Sequence, residues 1–240
     1  MIHFTGDVHR KVNELLRKLD YKQIPHTSDQ IVVLLGDVGV NYVGDVSDCV
    51  EKQKLQNSGR TYFCIHGNHE MRPESIETYE EQEWNGGTVY VEEDYPNLIF
   101  AKDGEVYDLE GTKILVLGGA YSVDKYYRQM MGYRWFADEQ ISKKRRAEIL
   151  SYVKQLKEVD IVVSHTCPEQ WQPTDLFLGG LDQSTVDKSM EEWLSEVERN
   201  LTYKHWLFAH FHANRKINEK VTMLYKDIIS LNKLMEGSIK

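Results

Sequence analysis

Asp, His and Asn recur in short clusters, each following an apolar run. Ile2-His3-Phe4-Thr5 leads into Gly6-Asp7-Val8-His9, Val32-Val33-Leu34-Leu35 into Gly36-Asp37, and Tyr62-Phe63-Cys64-Ile65 into His66-Gly67-Asn68-His69-Glu70. Later, Ile161-Val162-Val163 leads into Ser164-His165, and Trp206-Leu207-Phe208 into Ala209-His210-Phe211-His212. Carboxylate oxygen combined with imidazole nitrogen suits divalent ions such as Mn, Fe, Zn or Co. Asp7/His9 and His210/His212 are i, i+2 pairs, which extended backbone points to one side, so each is spaced to reach one metal centre. A lone Asp-x-His is usually a turn or the solvent face of a strand. The coincidence carries the argument: five of the nine histidines (His9, His69, His165, His210, His212) stand at these run ends. Gly6, Gly36 and Gly67 let the backbone turn sharply and approach a ligand.

The elements that must position these groups follow from periodicity. Met1–Thr5, Gln30–Leu35 and Thr61–Ile65 read as strands, and QIVVLL is apolar enough to be covered on both faces. Lys11–Leu19, with Val12, Leu15, Leu16 and Leu19 at helical spacing, and Val46–Gln56 read as helices. Thr88–Val91, Leu98–Ala101, Val106–Leu109 and Lys113–Leu117, separated by turn residues, predict an antiparallel meander. Glu139–Leu156 and Ser184–Asn200 predict helices, and Ile161–Ser164, His205–Ala209 and Val221–Tyr225 predict strands. Parallel βαβ units followed by antiparallel strands suggest an α/β fold of two packed sheets with helices outside. Ligands of open α/β sheets bind beyond the carboxyl ends of strands, where the clusters lie.

Bulk properties narrow the class. No low-complexity segment, repeat or linker divides the 240 residues, so a single domain, 1–240, is expected. The formal net charge of −9 weighs against a protein that grips long nucleic acid. No apolar run is long enough to span a bilayer, so no membrane partner is expected. Neither a basic-then-apolar leader nor a CxxC is visible, and three widely spaced cysteines fit a reducing cytoplasm.

Taken together, GDVH (6–9), GD (36–37), GNHE (67–70), SH (164–165) and AHFH (209–212) resemble the calcineurin-like metallophosphoesterase superfamily in order and rough spacing. The resemblance implies a four-layer αββα sandwich of two mixed β-sheets with a dinuclear metal site at the strand ends. It assigns Asp7, His9 and His212 to one metal and Asn68, His165 and His210 to the other, with Asp37 bridging. It places His69 beside the leaving-group oxygen as a catalytic group rather than a ligand. The implied cofactors are two divalent ions, Mn foremost, or else Fe, Zn, Co or Mg. Two ions about 3.5–4 Å apart would activate a shared water as hydroxide for attack on a phosphate mono- or diester. The implied substrates are small phosphoesters or nucleotides.

Departures from the family pattern also inform. Gly36-Asp37-Val38-Gly39-Val40-Asn41-Tyr42 lacks the second Asp and the Arg of the protein Ser/Thr phosphatase branch, which weighs against that activity. A nuclease on the same site and a non-catalytic scaffold of the same fold are competing readings. Every expected metal position is filled, which disfavours the scaffold. Arg10 either touches substrate phosphate or caps a turn, and Glu70 is expected to support the backbone. The stretch 118–136 holds Tyr121, Tyr126, Tyr127, Arg128, Tyr133, Arg134 and Trp135. Its aromatic residues with Arg128 and Arg134 would either stack a base and clamp phosphate or simply pack as a loop. Trp171 offers another rim, and Lys143-Lys144-Arg145-Arg146 reads as a solvated face at the start of a helix. Oligomeric state is left open.

Overall fold

The computed structural model describes residues 1–177 and 183–236. In chain order come β1 (Ile2–Thr5), α1 (Val12–Tyr21), β2 (Ile31–Leu34), α2 (Val46–Asn57), β3 (Thr61–Cys64), β4 (Tyr79–Trp84), β5 (Gly87–Glu92), β6 (Leu98–Ala101), β7 (Val106–Leu109) and β8 (Thr112–Leu117). There follow α3 (Lys125–Met131), α4 (Lys143–Leu156), β9 (Ile161–Ser164), α5 (Ser189–Arg199), β10 (His205–Phe208), β11 (Arg215–Lys216), β12 (Val221–Met223), β13 (Ile229–Ser230) and α6 (Leu231–Met235). One sheet has the order β13-β1-β2-β3-β6-β5-β4, the other β11-β12-β10-β9-β8-β7. The inner strands of each are parallel: β1, β2, β3 and β6 in the first, β8, β9, β10 and β12 in the second.

Strands that are apolar at every position need cover on both faces, and three cores supply it. Between the sheets lie Phe4, Val33, Phe63, Val116, Val163 and Leu207. On the outer face of the first sheet, Val12, Leu15 and Leu19 of α1 and Leu55 of α2 pack on Val32, Leu34, Tyr62 and Cys64. On the outer face of the second, Ile149 and Val153 of α4 and Met190, Trp193, Leu194 and Val197 of α5 cover Leu115, Val162, Trp206 and Phe208. The layers are therefore helix, sheet, sheet, helix: the expected αββα arrangement of two mixed sheets.

Register decides where the chemistry goes. Thr5 pairs with Leu34 and Leu34 with Cys64, so β1, β2 and β3 end level and the residues after them emerge at one edge. Val163 pairs with Leu207, which levels the ends of β9 and β10 in the other sheet.

Several elements differ from expectation. The meander is split: β5 and β6 close the first sheet, whereas β7 and β8 belong to the second. β4, YEEQEW, has no alternation because it is an exposed edge strand, joined to β5 through Asn85 and Gly86, both at positive φ. Such a turn matches the twist of a two-residue hairpin. α4 starts at Lys143 because Ser142 caps it, its side chain accepting from the Arg145 N–H. α5 begins at Ser189 rather than Ser184, and part of 118–136 is the helix α3. The Lys143–Arg146 run is not wholly solvated: Arg146 is buried and donates to the Ser189 carbonyl, and Arg145 donates to the Asp103 carbonyl. Trp171 is not a rim residue; it packs edge-on against Trp206 of the outer core.

Candidate metal centre

Asp7 and His9 follow β1, Asp37 follows β2, Asn68 and His69 follow β3, His165 follows β9, and His210 and His212 follow β10. The backbone there is not extended. His9, Asp37, His210 and His212 all have positive φ, as does Arg10. These five are among only nine non-glycine residues at positive φ in the described chain. Such conformations are uncommon and cluster where surrounding structure enforces them. The i, i+2 pairs thus converge through tight left-handed turns, not through a strand's alternation. Ala209 is not among the positive-φ residues, so its Cβ adds no backbone strain beside the two histidines.

Close approach explains two glycines. A Cβ on Gly36 would run into the His165 ring, and one on Gly67 into the Asp37 carboxylate and backbone. Glu70, fully buried, holds both loops, accepting from the Gly39 and Gly67 N–H groups at 3.0 Å each. This is the backbone support expected of it.

The side chains meet in two groups. His9 Nε2 lies 2.8 Å from His212 Nε2 and 3.7 Å from Asp37 Oδ2, and His212 Nε2 lies 3.8 Å from Asp7 Oδ2. On the buried side, Asn68 Oδ1 lies 2.9 Å from His165 Nε2 and 3.1 Å from His210 Nδ1. His165 Nε2 is 3.6 Å from Asp37 Oδ2, and its Nδ1 is 3.7 Å from Asp7 Oδ1. Asp7–His9–His212 and Asp7–Asp37–His165 each bring one ligand atom apiece within 4.8 Å of one another. All seven predicted ligand residues are brought together, with Asp37 between the groups.

These residues fit divalent ions. Asp7 Oδ2 is buried without a hydrogen-bond partner, an expensive state unless a cation completes it. His165 Nδ1 meets the Leu35 carbonyl at 2.7 Å. That bond fixes an N–H at Nδ1, so Nε2, turned inward toward Asn68 and Asp37, is the nitrogen that would ligate once a cation displaces its proton.

The electrostatics without metal agree. Burial pushes the Asp7 carboxyl up to about 7, with Asp37 adding repulsion and His165 opposing. Burial also opposes charge on Asp37, but His165, by charge and hydrogen bond, with His69 and His9, holds it well below the usual range. His165 is raised to about 9: burial lowers it, and Asp37 and then Asp7 outweigh burial. His9 falls to about 4 and His210 well below its ordinary value, chiefly by burial. Those rings are neutral at physiological pH and available as ligands.

Outside this cluster opens a pocket of about 150 Å³ lined by His9, Arg10, Gly39, Tyr42, His69 and Arg128. Among the described residues, no carboxylate lines it. His69 Nε2 sits 3.2 Å from Asn68 Nδ2 and 3.3 Å from Arg128 Nη2. A guanidinium has no acceptor, so Nε2 accepts from it and the ring proton lies on Nδ1. The three candidate substrate arginines separate. Arg10 is engaged by Gly39 O, Asp48 and Ser47 and ties down the 39–48 loop. Arg134 donates to Val43 O. Arg128 faces the pocket, held by Asp124 at 2.8 Å. Sequence reasoning missed Tyr42, whose hydroxyl lies 3.4 Å from Arg128 Nη1, and the buried Ser122 and Glu139 behind Asn68. Tyr42 occupies the stretch where the Asp-Arg of the phosphatase branch is missing, which was the available signal. Ser122 and Glu139 carried none.

The family model for calcineurin-like phosphoesterases matches residues 1–215. No curated protein matches the sequence. Among solved structures, TT1561 of Thermus thermophilus is similar at 13% identity and a TM-score of 0.53, covering 97% of this chain and 95% of its own. A second solved structure is 11% identical with a TM-score of 0.52, covering 97% and 95%. At these identities the likeness is one of fold.

Proposed function

The chain belongs to the calcineurin-like phosphoesterase family, and from that premise we propose that it is a two-metal phosphoesterase acting on small phosphoesters or nucleotides. The family is one of metal-dependent phosphoester hydrolases. One observation carries the reading: seven donor side chains converge around an unpartnered Asp7 oxygen, beneath a pocket lined by His69 and Arg128.

In this reading Asp7, His9 and His212 hold one ion, Asn68, His165 and His210 the other, and Asp37 both, within a single domain over 1–240. Two divalent ions there, Mn foremost, would neutralise phosphoryl oxygens and lower the pKa of a water shared between them. The protein's own groups do the rest. The bond to Leu35 O keeps His165 in its ligating tautomer. Arg128 presents N–H donors to an entering phosphoryl group, the stronger for being charge-assisted. His69, beside it, can take up and pass on a proton at Nε2 next to the departing oxygen. The pocket has room for a phosphoryl group, and the rest of the ester can extend beyond it toward α3.

The test uses chelator-stripped protein restored with Mn, Fe, Co, Zn or Mg in turn. Hydrolysis of p-nitrophenyl phosphate is compared with that of bis(p-nitrophenyl) phosphate, with Asp37→Asn as control. Metal-dependent turnover lost in the control supports the reading, and the favoured ester sorts monoesterase from diesterase. Absence of both turnover and bound metal overturns it.

A further inference from the structure

We propose that Ser122 and Glu139 are positioning residues that lock the Asn68 carboxamide with its oxygen toward His165 and His210, and so set the affinity of that metal site. The inference rests on the assignment of Asn68, His165 and His210 as ligands of one ion.

An asparagine side chain has nearly the same shape in either flip, and the hydrogen-bond partners decide which end points where. Glu139 is 2% exposed and Ser122 1% exposed, so water cannot take a partner's place. The Ser122 N–H donates to Glu139 Oε1 at 3.1 Å, and the Ser122 hydroxyl to Oε2 at 2.5 Å. Burial pushes the Glu139 carboxyl up, while the two Ser122 bonds draw it back toward the ionised form that accepts from both. With its only proton given to Glu139, Ser122 Oγ can only accept from Asn68, and Nδ2 lies 2.9 Å away. The other Asn68 N–H is turned to His69 Nε2. Both amide protons are thus engaged on one side, and Oδ1 is left facing the two histidines. The reverse flip would present an NH₂ group to a cation.

The same pair closes the base of the excursion 120–139. The Ala120 N–H donates to the Glu139 carbonyl at 3.2 Å, and a Cβ on Gly119 would stand 2.6 Å from that carbonyl. Glu139 is therefore fixed by its backbone as well as by Ser122.

Glu139→Gln separates orientation from packing, because it conserves shape. A glutamine must offer its oxygen to the Ser122 N–H, which turns its NH₂ toward Ser122 Oγ. The hydroxyl proton is then released toward Asn68 and favours the wrong flip. Mn²⁺ binding to chelator-stripped protein is measured by titration calorimetry for wild type, Glu139→Gln, Ser122→Ala and the double variant. In Glu139→Gln one of two sites is expected to weaken about 10- to 100-fold, the usual cost of losing a group that orients a ligand, while the other changes less than about twofold. Glu139 acts through the hydroxyl, so the double variant should bind no more weakly than Ser122→Ala alone. Wild-type affinity at both sites in Glu139→Gln, simple addition of the single losses in the double variant, or equal loss at both sites would overturn the proposal. Failure of the wild type itself to bind Mn²⁺ would instead overturn the phosphoesterase reading on which it rests.

Discussion

Two walls face each other across the pocket, and they are built differently. The inner wall is made of strand ends. Asp7, Asp37, Asn68 and His165 are almost fully buried, and level strands of two sheets fix their backbones. The outer wall is the excursion 120–139. Its helix α3 has seven residues and buries none of them, leaving Tyr126, Tyr127, Met130 and Met131 exposed, with Val123 and Tyr133 exposed on either side. A helix that short has little stability of its own. It is held by a few polar ties: Ser122 to Glu139, Arg128 to Asp124 and to Arg134 O, and Arg134 to Val43 O. The difference suggests a division of labour. On the proposed reading, the wall set by the cores would carry the reaction, and the wall set by side-chain ties would govern what is presented to it.

The strongest way to break that division is at Asp37. Asp37→Asn removes the charge shared by both groups of ligands and leaves His165 facing an amide. Metal binding at both sites and hydrolysis should fall by more than about 100-fold, beyond the usual cost of losing a group that merely supports a ligand. His69→Ala should lower turnover while both metals remain bound in calorimetry. If His69→Ala also lost metal, the inner wall would not divide into ligands and a separate proton-handling group.

At the outer wall the expected effect is smaller and of another kind. Arg128→Ala removes charge-assisted donors worth about 1.5–3 kcal/mol, roughly 10- to 150-fold in kcat/KM. Metal affinity should be unchanged. Arg10→Ala should instead lower the melting temperature by releasing Gly39 and the start of α2, at Ser47 and Asp48, from the Arg10 turn. Equal losses of kcat/KM in the two variants, with no difference in melting temperature, would erase the distinction between them.

The same contrast separates what the sequence made legible from what it did not. β1, β2, β3, β9 and β10 could be read because a strand covered on both faces is apolar at every position. β4 could not, since an exposed edge strand spelled YEEQEW has neither period nor apolar content. The seven ligand candidates were legible because their residue types are scarce and stand at apolar run ends. The route by which they converge was not: positive φ at His9, Asp37, His210 and His212 comes from tertiary enforcement, and local preference alone points to extended backbone. Ser122 and Glu139 are ordinary residue types, and Ser122 lies 54 positions from the asparagine it meets, so no local pattern marks them. Of the outer wall, Arg128 was marked by its aromatic and basic neighbours in the sequence, whereas the bracing by Ser122 and Glu139 became readable only in three dimensions.

Protons also probe the inner wall. In the metal-free protein Asp7 and Glu70 are raised by burial to about 7, and His165 is raised to about 9 by Asp37. A group whose folded pKa lies above its unfolded value stabilises the fold fully below the unfolded pKa and loses that contribution as pH rises through the folded one. Below about pH 6.5 the histidines that burial lowers, His9 and His210 among them, oppose the raised carboxyls. Above 6.5 those histidines are neutral in both states, so metal-free stability should decline from there to about 9 as His165 loses its proton. Bound divalent ions supply the positive charge that those protons supplied. Denaturant midpoints measured against pH should flatten when Mn²⁺ is added, and an equally steep decline with metal would count against this site as the seat of the effect.

The smallest effect is expected on the outer face of α3, and its smallness is the point. Tyr126 is 66% exposed, and the Lys125 ammonium stands 5.9 Å from the centre of its ring. A cation–π contact at so exposed a position is worth about 0.5 kcal/mol. Tyr126→Ser should therefore shift unfolding free energy by no more than about 0.5 kcal/mol and leave p-nitrophenyl phosphate turnover and Mn²⁺ affinity as they are. The informative substrate is a nucleoside monophosphate, whose base is large enough to leave the pocket and reach α3. A higher KM for the nucleotide alone, with kcat unchanged, would mean that this face receives the leaving group, making the outer wall a selector by its aromatics as well as by Arg128. Parallel loss on both substrates would instead mean that α3 supports the inner wall, and the division between the two would fail.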